Sequence, residues 1–176
     1  MRKIPKPQPD EYDSYAIMYI KLLPDDGLII KHLHENGEST GQFFLSIPKE
    51  LLEYRYAPGK WTIKEILLHL IDDERIYSYR VLRFARGDMT PLPGFDQEPY
   101  AMASRANDRT IESLVEEFLS MRKSTLYLFE NLPEEALIRG GIANNHYVTV
   151  RALIYHLAGH ELHHVNIIKE KYIQNN

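Results

Sequence analysis

Residues 149–171 read TVRALIYHLAGHELHHVNIIKEK, and the spacing within that stretch decides the fold. Thr149 offers a hydroxyl to cap a helix start. Val150, Leu153, Leu157, His160, His164 and Ile168 then recur at steps of three and four. Four residues turn a helix only about 40° past a full revolution, so these side chains share one face. The apolar stripe of a core-facing helix therefore runs through His160 and His164, where a core needs leucines. Imidazole nitrogens cost about 2 kcal/mol or more to bury without partners, so something must lie between the two rings.

Working outward, Pro and Gly clusters divide the chain into three more helical segments. One follows Ala57-Pro58-Gly59-Lys60, where Thr62 and Glu65 form a capping-box pattern ahead of the stripe Ile63, Ile66, Leu67, Leu70, Tyr77, Val81 and Phe84. It carries a complementary oddity, since His69 and Asp73 stand one turn apart between Ile66 and Tyr77. Another runs from about Thr110 to Leu132, with Ile111, Leu114, Val115, Phe118, Leu126 and Phe129 on one side, and Pro133 stops it. The first starts near Pro24-Asp25-Asp26, with Leu28, Ile29, Leu33, Phe43, Phe44 and Ile47 in its stripe and Gly37 and Gly41 weakening it. The last helix reaches about Lys171. The Gly87 to Tyr100 loop, with Pro91, Pro93, Gly94 and Pro99, reads as irregular, and Gly140 to Val148 allows a short hairpin. Four helices with little period-2 alternation predict an all-α four-helix bundle, one domain over 1–176, with residues 1–10 an extended N-terminal arm.

Composition narrows the function. The chain has 176 residues and no cysteine, which excludes disulfide scaffolds, thiolate zinc fingers and iron–sulfur centres; any metal must be held by His or carboxylate. With 21 Lys+Arg against 25 Asp+Glu the net charge is −4, and no basic run is interleaved with aromatics, so nucleic acid is not an expected partner. No stretch approaches the roughly 18 apolar residues of a membrane span, and the N-terminal prolines interrupt any signal-like segment. A cytoplasmic location with no membrane partner is expected.

Four of the eight histidines fall between His156 and His164. His160 and His164 from one helix and His69 from another would give an N3 site inside the bundle for Zn²⁺ or Ni²⁺, with Fe²⁺ or Mn²⁺ as alternatives, and with positions open for water or substrate. The competing reading is a set of core histidines bonded to Asp73 or Glu161; a pair plus a third histidine from another stripe favours the metal. His156 is either a supporting group or packing, His163 lies to one side, and His32, His34 and His146 read as ordinary. His160-Glu161-Leu162-His163-His164 also matches H-E-x-x-H, in which the glutamate deprotonates a metal-bound water, making Glu161 a candidate general base. No edge strand for a peptide is read, which ranks a metallopeptidase third. Asp73 is a candidate for orienting a ligand imidazole or the nucleophile, with a salt bridge to Arg80 or Arg75 as the alternative. Tyr77 continues the stripe; packing of its ring is the expected role, with its hydroxyl reaching the pocket as the alternative.

Trp61-Thr62-Ile63-Lys64-Glu65 with His69, Asp72-Asp73-Glu74-Arg75, the Tyr56 to Trp61 and Arg83 to Asp88 flanks, and Gly159 to His164 together make the sequence resemble the DinB/YfiT-like family over most of its length. The resemblance implies a four-helix bundle in up-down-down-up order with long loops, commonly a homodimer. It also implies a divalent metal on His69, His160 and His164, the residues selected by the stripes. Family members include thiol-S-transferases using bacillithiol or glutathione-like cofactors, a mycothiol-dependent isomerase, and proteins called metal-dependent hydrolases. The expected activity is thus thiol transfer or hydrolysis of a small molecule at the metal, with a low-molecular-weight thiol as a second cofactor in the first case. A metal-binding stress-response bundle without turnover is the alternative. A pocket beside the metal favours the enzyme, and a sealed site favours the alternative.

Overall fold

The computed structural model describes residues 2–174. Met1 of the expected arm, and Asn175 and Asn176 of the expected domain, lie outside the described residues. In chain order the helices are α1 (Ile17–Ile20), α2 (Ile29–Ser46), α3 (Ile63–Ala85), α4 (Gln97–Ala103), α5 (Ile111–Glu130) and α6 (Val150–Ile167). A hairpin of β1 (Gly140–Ala143) and β2 (His146–Thr149) joins α5 to α6. Asn144 and Asn145 supply its turn with φ of 51° and 66°, values that Asn tolerates better than most residues.

The expected caps are formed. Thr62 Oγ1 accepts from the Glu65 amide at 3.1 Å while Glu65 Oε2 accepts from the Thr62 amide at 2.7 Å, closing the capping box on α3. Thr110 and Thr149 accept from Ser113 and Ala152 in the same way at the starts of α5 and α6. Two boundaries differ from the sequence reading. The first long helix begins at Ile29, because Asp26 Oδ1 takes the Leu28 amide into a turn. The last helix widens into a π-helical turn over Ile168–Ile173.

The loop read as irregular contains α4. Asp96 caps it through the Glu98 amide, and Pro99 sits in its first turn, where a missing N–H loses no helical bond. Seven residues are too few to show a period.

α2 packs against α5 and α6, as does α3, so α2 and α3 are diagonal across the bundle. The core forms two apolar clusters. One holds Ile29 and Leu33 of α2, Val81 and Phe84 of α3, Phe129 of α5 and Leu153 of α6. The other holds Phe44 of α2, Ile63 and Leu67 of α3, Phe118 of α5, and Ile168 beyond α6. The order in which each helix visits the clusters gives its direction: α2 and α6 run one way, α3 and α5 the other. That is the up-down-down-up order, with residues 86–110 as the long crossover.

Burying each such side chain contributes about 1.5–3 kcal/mol, and the two clusters hold the bundle at its ends. Between them each of the four long helices contributes polar or small residues: Gly37 and Thr40, Asp73 and Glu74, Arg122 and Thr125, His160 and Glu161, all buried. Asp73, His160 and Glu161, candidate site residues of the sequence, lie in this belt.

The N-terminal arm is docked. Ile4 is fully buried, its amide donating to Gly27 and its carbonyl accepting from the Tyr155 hydroxyl at 2.7 Å. α1 then crosses α6 at Gly159, where a Cβ would lie 2.3 Å from the Tyr19 carbonyl oxygen. Glycine at that crossing is what lets Tyr19 reach the histidines.

Candidate metal centre

α3 and α6 bring together the three histidines that the stripes select. His160 Nε2 lies 3.2 Å from His69 Nε2 and 3.0 Å from His164 Nε2. His69 and His160 are buried and His164 half-buried. Their ligand atoms all fall within 4.8 Å of one another.

Hydrogen bonding alone does not satisfy this arrangement. His160 Nε2 has one lone pair or one N–H, and it faces two nitrogens of the same kind. A metal 2.0–2.1 Å from each nitrogen separates neighbouring donors by about 3.0 Å at right angles and about 3.4 Å in a tetrahedron. The two separations from His160 fall in that range, so the residues fit a divalent transition metal.

Burial keeps the donors neutral, as ligands must be. It pulls His69 down to about 4, and burial followed by the charge of His69 pulls His164 down to about 3. His160 is driven well below the usual range, by burial first and then by its histidine neighbours.

Asp73 stands behind the central ring. Its Oδ2 lies 3.2 Å from His160 Nδ1, close enough for an ion pair but not aligned for a full hydrogen bond, so each atom is buried without a hydrogen-bond partner. Burial pushes the Asp73 carboxyl up to about 7. The carboxylate behind a ring whose other nitrogen faces the site is the arrangement that orients a metal-ligating histidine. The salt bridge considered for Asp73 is not formed: Arg75 pairs with Asp72 and Glu117, and Arg80 Nη2 donates to the Pro93 carbonyl.

Glu161, the candidate base, is not among the residues whose ligand atoms converge on the triad. Its Oε2 accepts from Arg122 Nη2 at 2.8 Å, and the same guanidinium holds Glu74 through Nε and Nη2 and the Leu33 carbonyl through Nη1. Burial opposes the Arg122 charge, but Glu161 and Glu74 outweigh it and raise its pKa. Gly37 leaves the room, since a Cβ there would lie 3.0 Å from Arg122 Cγ. The other Glu161 oxygen, Oε1, is buried without a hydrogen-bond partner.

Aromatic rings frame the triad. Trp61 lies 4.8 Å from the His69 ring and stacks at 6.5 Å over His164, held by Glu98 through its Nε1. Tyr19 meets His156, His160 and His163 edge-on. His156 stacks on Tyr77 at 4.5 Å. His32, His34 and His146 stand against the carboxylates of Asp26, Glu38 and Asp13 at 2.8, 3.8 and 2.7 Å and are not part of the triad.

A cavity of about 430 Å³ opens beside His160, lined among others by Tyr15, Tyr19, Asp73, Tyr77, Arg80 and His156. A smaller one of about 170 Å³ reaches His164 past Trp61. Tyr19 and Arg80 were not singled out as site residues by the sequence. Tyr19 sits in a short apolar stretch, and the only signal for Arg80 is its place on the His69, Asp73, Tyr77 face of α3.

An up-down-down-up bundle with three histidines converging in its polar belt defines a class of protein. The family model of the DinB superfamily matches residues 32–168, and the chain belongs to that superfamily. It is 29% identical over 142 residues to an Oceanobacillus iheyensis protein provisionally named a metal-dependent hydrolase, covering 80% of this chain and 81% of that one. Among solved structures it is similar to YfiT from Bacillus subtilis, described as "a probable metal-dependent hydrolase with an unusual four-helix bundle topology". The TM-score is 0.75 at 17% identity, over 84% of this chain and 87% of that chain. Among the described residues, no helix is long and apolar enough to cross a membrane.

Proposed function

We propose that this protein is a metal-dependent enzyme acting on a small molecule, with His69, His160 and His164 as the ligands and hydrolysis as the reaction. The observation that carries the reading is the His160 ring, whose Nε2 is shared between two imidazoles at 3.2 and 3.0 Å and whose Nδ1 faces Asp73. A divalent metal there supplies Lewis acidity, which makes a nucleophile available near neutral pH.

The chain's own residues supply the rest. Asp73 stands 3.2 Å behind His160 Nδ1, placed to orient the ring, while Trp61 and Tyr19 restrict water around the rings. The cavity beside His160 admits a small substrate, which favours an enzyme over a metal-binding bundle without turnover. Thiol transfer at the same centre would need the thiol to enter that cavity from solution, because the chain has no cysteine of its own.

The test is elemental analysis of tag-free protein beside a His160→Ala/His164→Ala variant, followed by chelator-sensitive hydrolysis of small esters and amides, with and without added thiol. Near-stoichiometric metal lost in the variant supports the centre. Ester turnover without thiol supports hydrolysis, and turnover only with thiol moves the assignment to transfer. Folded protein that takes up no Zn²⁺, Ni²⁺ or Mn²⁺ overturns the reading.

A further inference from the structure

Arg80 is a buried cation without a carboxylate. Three cationic side chains are buried among the described residues. Lys64 has Glu53 at 2.7 Å and Arg122 has Glu74 and Glu161 at 2.8 Å. Arg80 is 5% exposed and forms no ion pair; its one hydrogen bond runs from Nη2 to the Pro93 carbonyl at 3.2 Å. Its guanidinium lies over the Tyr77 ring, 5.1 Å from the centroid. Its unpaired nitrogens are not among the buried atoms left without a partner, so they remain open to an acceptor, water or a ligand.

The acceptor's place is the cavity of about 430 Å³ that runs from Arg80 to His160. Two carboxylates also line it. Asp73 is turned to His160 Nδ1, and Asp96 is an exposed cap that accepts from the Glu98 amide. Neither lies within ion-pair distance of Arg80, and the exposed Asp96 carboxylate repels a dianion. The walls are aromatic, formed by Tyr15, Tyr19, Tyr77 and His156, and neither ring nitrogen of His156 has a hydrogen-bond partner among the described residues. One cation at one end, aromatic sides and nearby negative charge select a monoanion with a planar body.

We propose that Arg80 sets the specificity of this cavity by binding, through its guanidinium, the carboxylate of a small unsaturated organic acid whose other end faces the histidine triad. The orientation toward the triad rests on the metal reading above; the carboxylate site does not. Asp73 and Arg80 are seven residues apart on α3, about 10 Å along the axis, so the acid is about the size of a substituted benzoate. An arginine fork matches a carboxylate with two parallel hydrogen bonds, a pairing that neither lysine nor a neutral amide reproduces.

The test is a titration of the full chain, both zinc-loaded and chelator-treated, with benzoate, its neutral isostere benzamide, and inorganic phosphate, followed by calorimetry and by amide shifts in NMR spectra. The expected result is saturable benzoate binding in both forms, weakened about tenfold or more by Arg80→Gln and by replacing benzoate with benzamide, with phosphate weaker than benzoate. Arg80→Lys keeps the charge and loses the fork, so it binds benzoate at an intermediate affinity. Benzoate affinity unchanged in Arg80→Gln, benzamide binding as tightly as benzoate, phosphate binding more tightly, or no saturable benzoate binding at tens of millimolar each overturns the proposal. Should Arg80→Gln fail to fold, the ligand comparison on the unaltered protein and Arg80→Lys decide it. No zinc uptake alongside Arg80-dependent benzoate binding sinks the metal reading alone, whereas zinc uptake with Arg80-independent binding sinks this one alone.

Discussion

Replacing His160 by leucine separates a metal ligand from a core histidine, because the two roles predict opposite signs in two buffers. In metal-free protein the ring is a burden: Nδ1 is buried without a hydrogen bond, and Nε2 is caught between two like nitrogens. An unsatisfied buried polar group costs about 1–3 kcal/mol. Leucine has nearly the same volume and neither nitrogen, and Asp73 Oδ2 loses no hydrogen bond because it has none. The His160→Leu variant in chelator is therefore expected to unfold within about 3 °C of the parent, or above it. With zinc at a hundredfold over its dissociation constant the parent gains about 2.7 kcal/mol. For 176 residues that is a rise of about 5–11 °C. The variant keeps two of three donors, and its gain falls below about 1 kcal/mol, or about 2–4 °C. Thermal melts followed by circular dichroism, in chelator and in zinc, read both numbers. A variant that melts far below the parent in chelator and responds to zinc as the parent does would refute the reasoning and return His160 to the core.

Arg122→Met strands Glu74 and Glu161, whose side chains are 1% and 2% exposed, and should cost about 3–5 kcal/mol in urea denaturation; a loss below about 1 kcal/mol would mean that the carboxylates find water. Metal-free protein should also lose stability in acid. His69 is held near 4 and His156 and His164 near 3, chiefly by burial, while in the unfolded chain they titrate near about 6.5. The unfolded state then binds more protons, so this stability is present above about pH 6.5 and is lost as pH falls toward 4 and 3. Asp73, raised to about 7, works in the opposite sense, its contribution being lost as pH rises through 7. Three histidines outweigh one carboxyl, and urea midpoints in chelator should fall from pH 7.5 to 5.5; a flat profile would show that the rings are hydrated.

Periodicity exposes what is repeated, and it exposes little else. The four stripes, their caps and the intrusion of His69, His160 and His164 into them were legible because a helix maps spacing directly onto a face. The direction of each helix was not in the spacing; it emerged from the resemblance and is visible in the order in which α2, α3, α5 and α6 meet the two apolar clusters. α4 was missed because seven residues carry no period, and Pro99 argued against it. Tyr19 and Arg80 were missed for a different reason. Tyr19 reaches the histidines only because Gly159 lets α1 touch α6, a contact between segments 140 residues apart in sequence. Arg80 is unusual for what it lacks, and an absent partner is not written in a linear pattern.

Glu161 shows how a motif takes its meaning from its neighbours. The letters H-E-x-x-H place the glutamate one residue after a metal-ligating histidine, and a residue step of about 100° turns the two side chains toward different surroundings. On this helix the surroundings of Glu161 include Arg122 of α5, which also holds Glu74 of α3 and the Leu33 carbonyl of α2. One guanidinium thus ties all four long helices together at the level of the triad. The polar belt that makes the metal possible would otherwise be the weakest layer of the bundle, because apolar packing stops on either side of it. Arg122 closes that layer with charge, and Glu161 is used to anchor it. With Oε2 of Glu161 committed to that anchor, Asp73 and His156 are titratable groups that line the cavity beside His160.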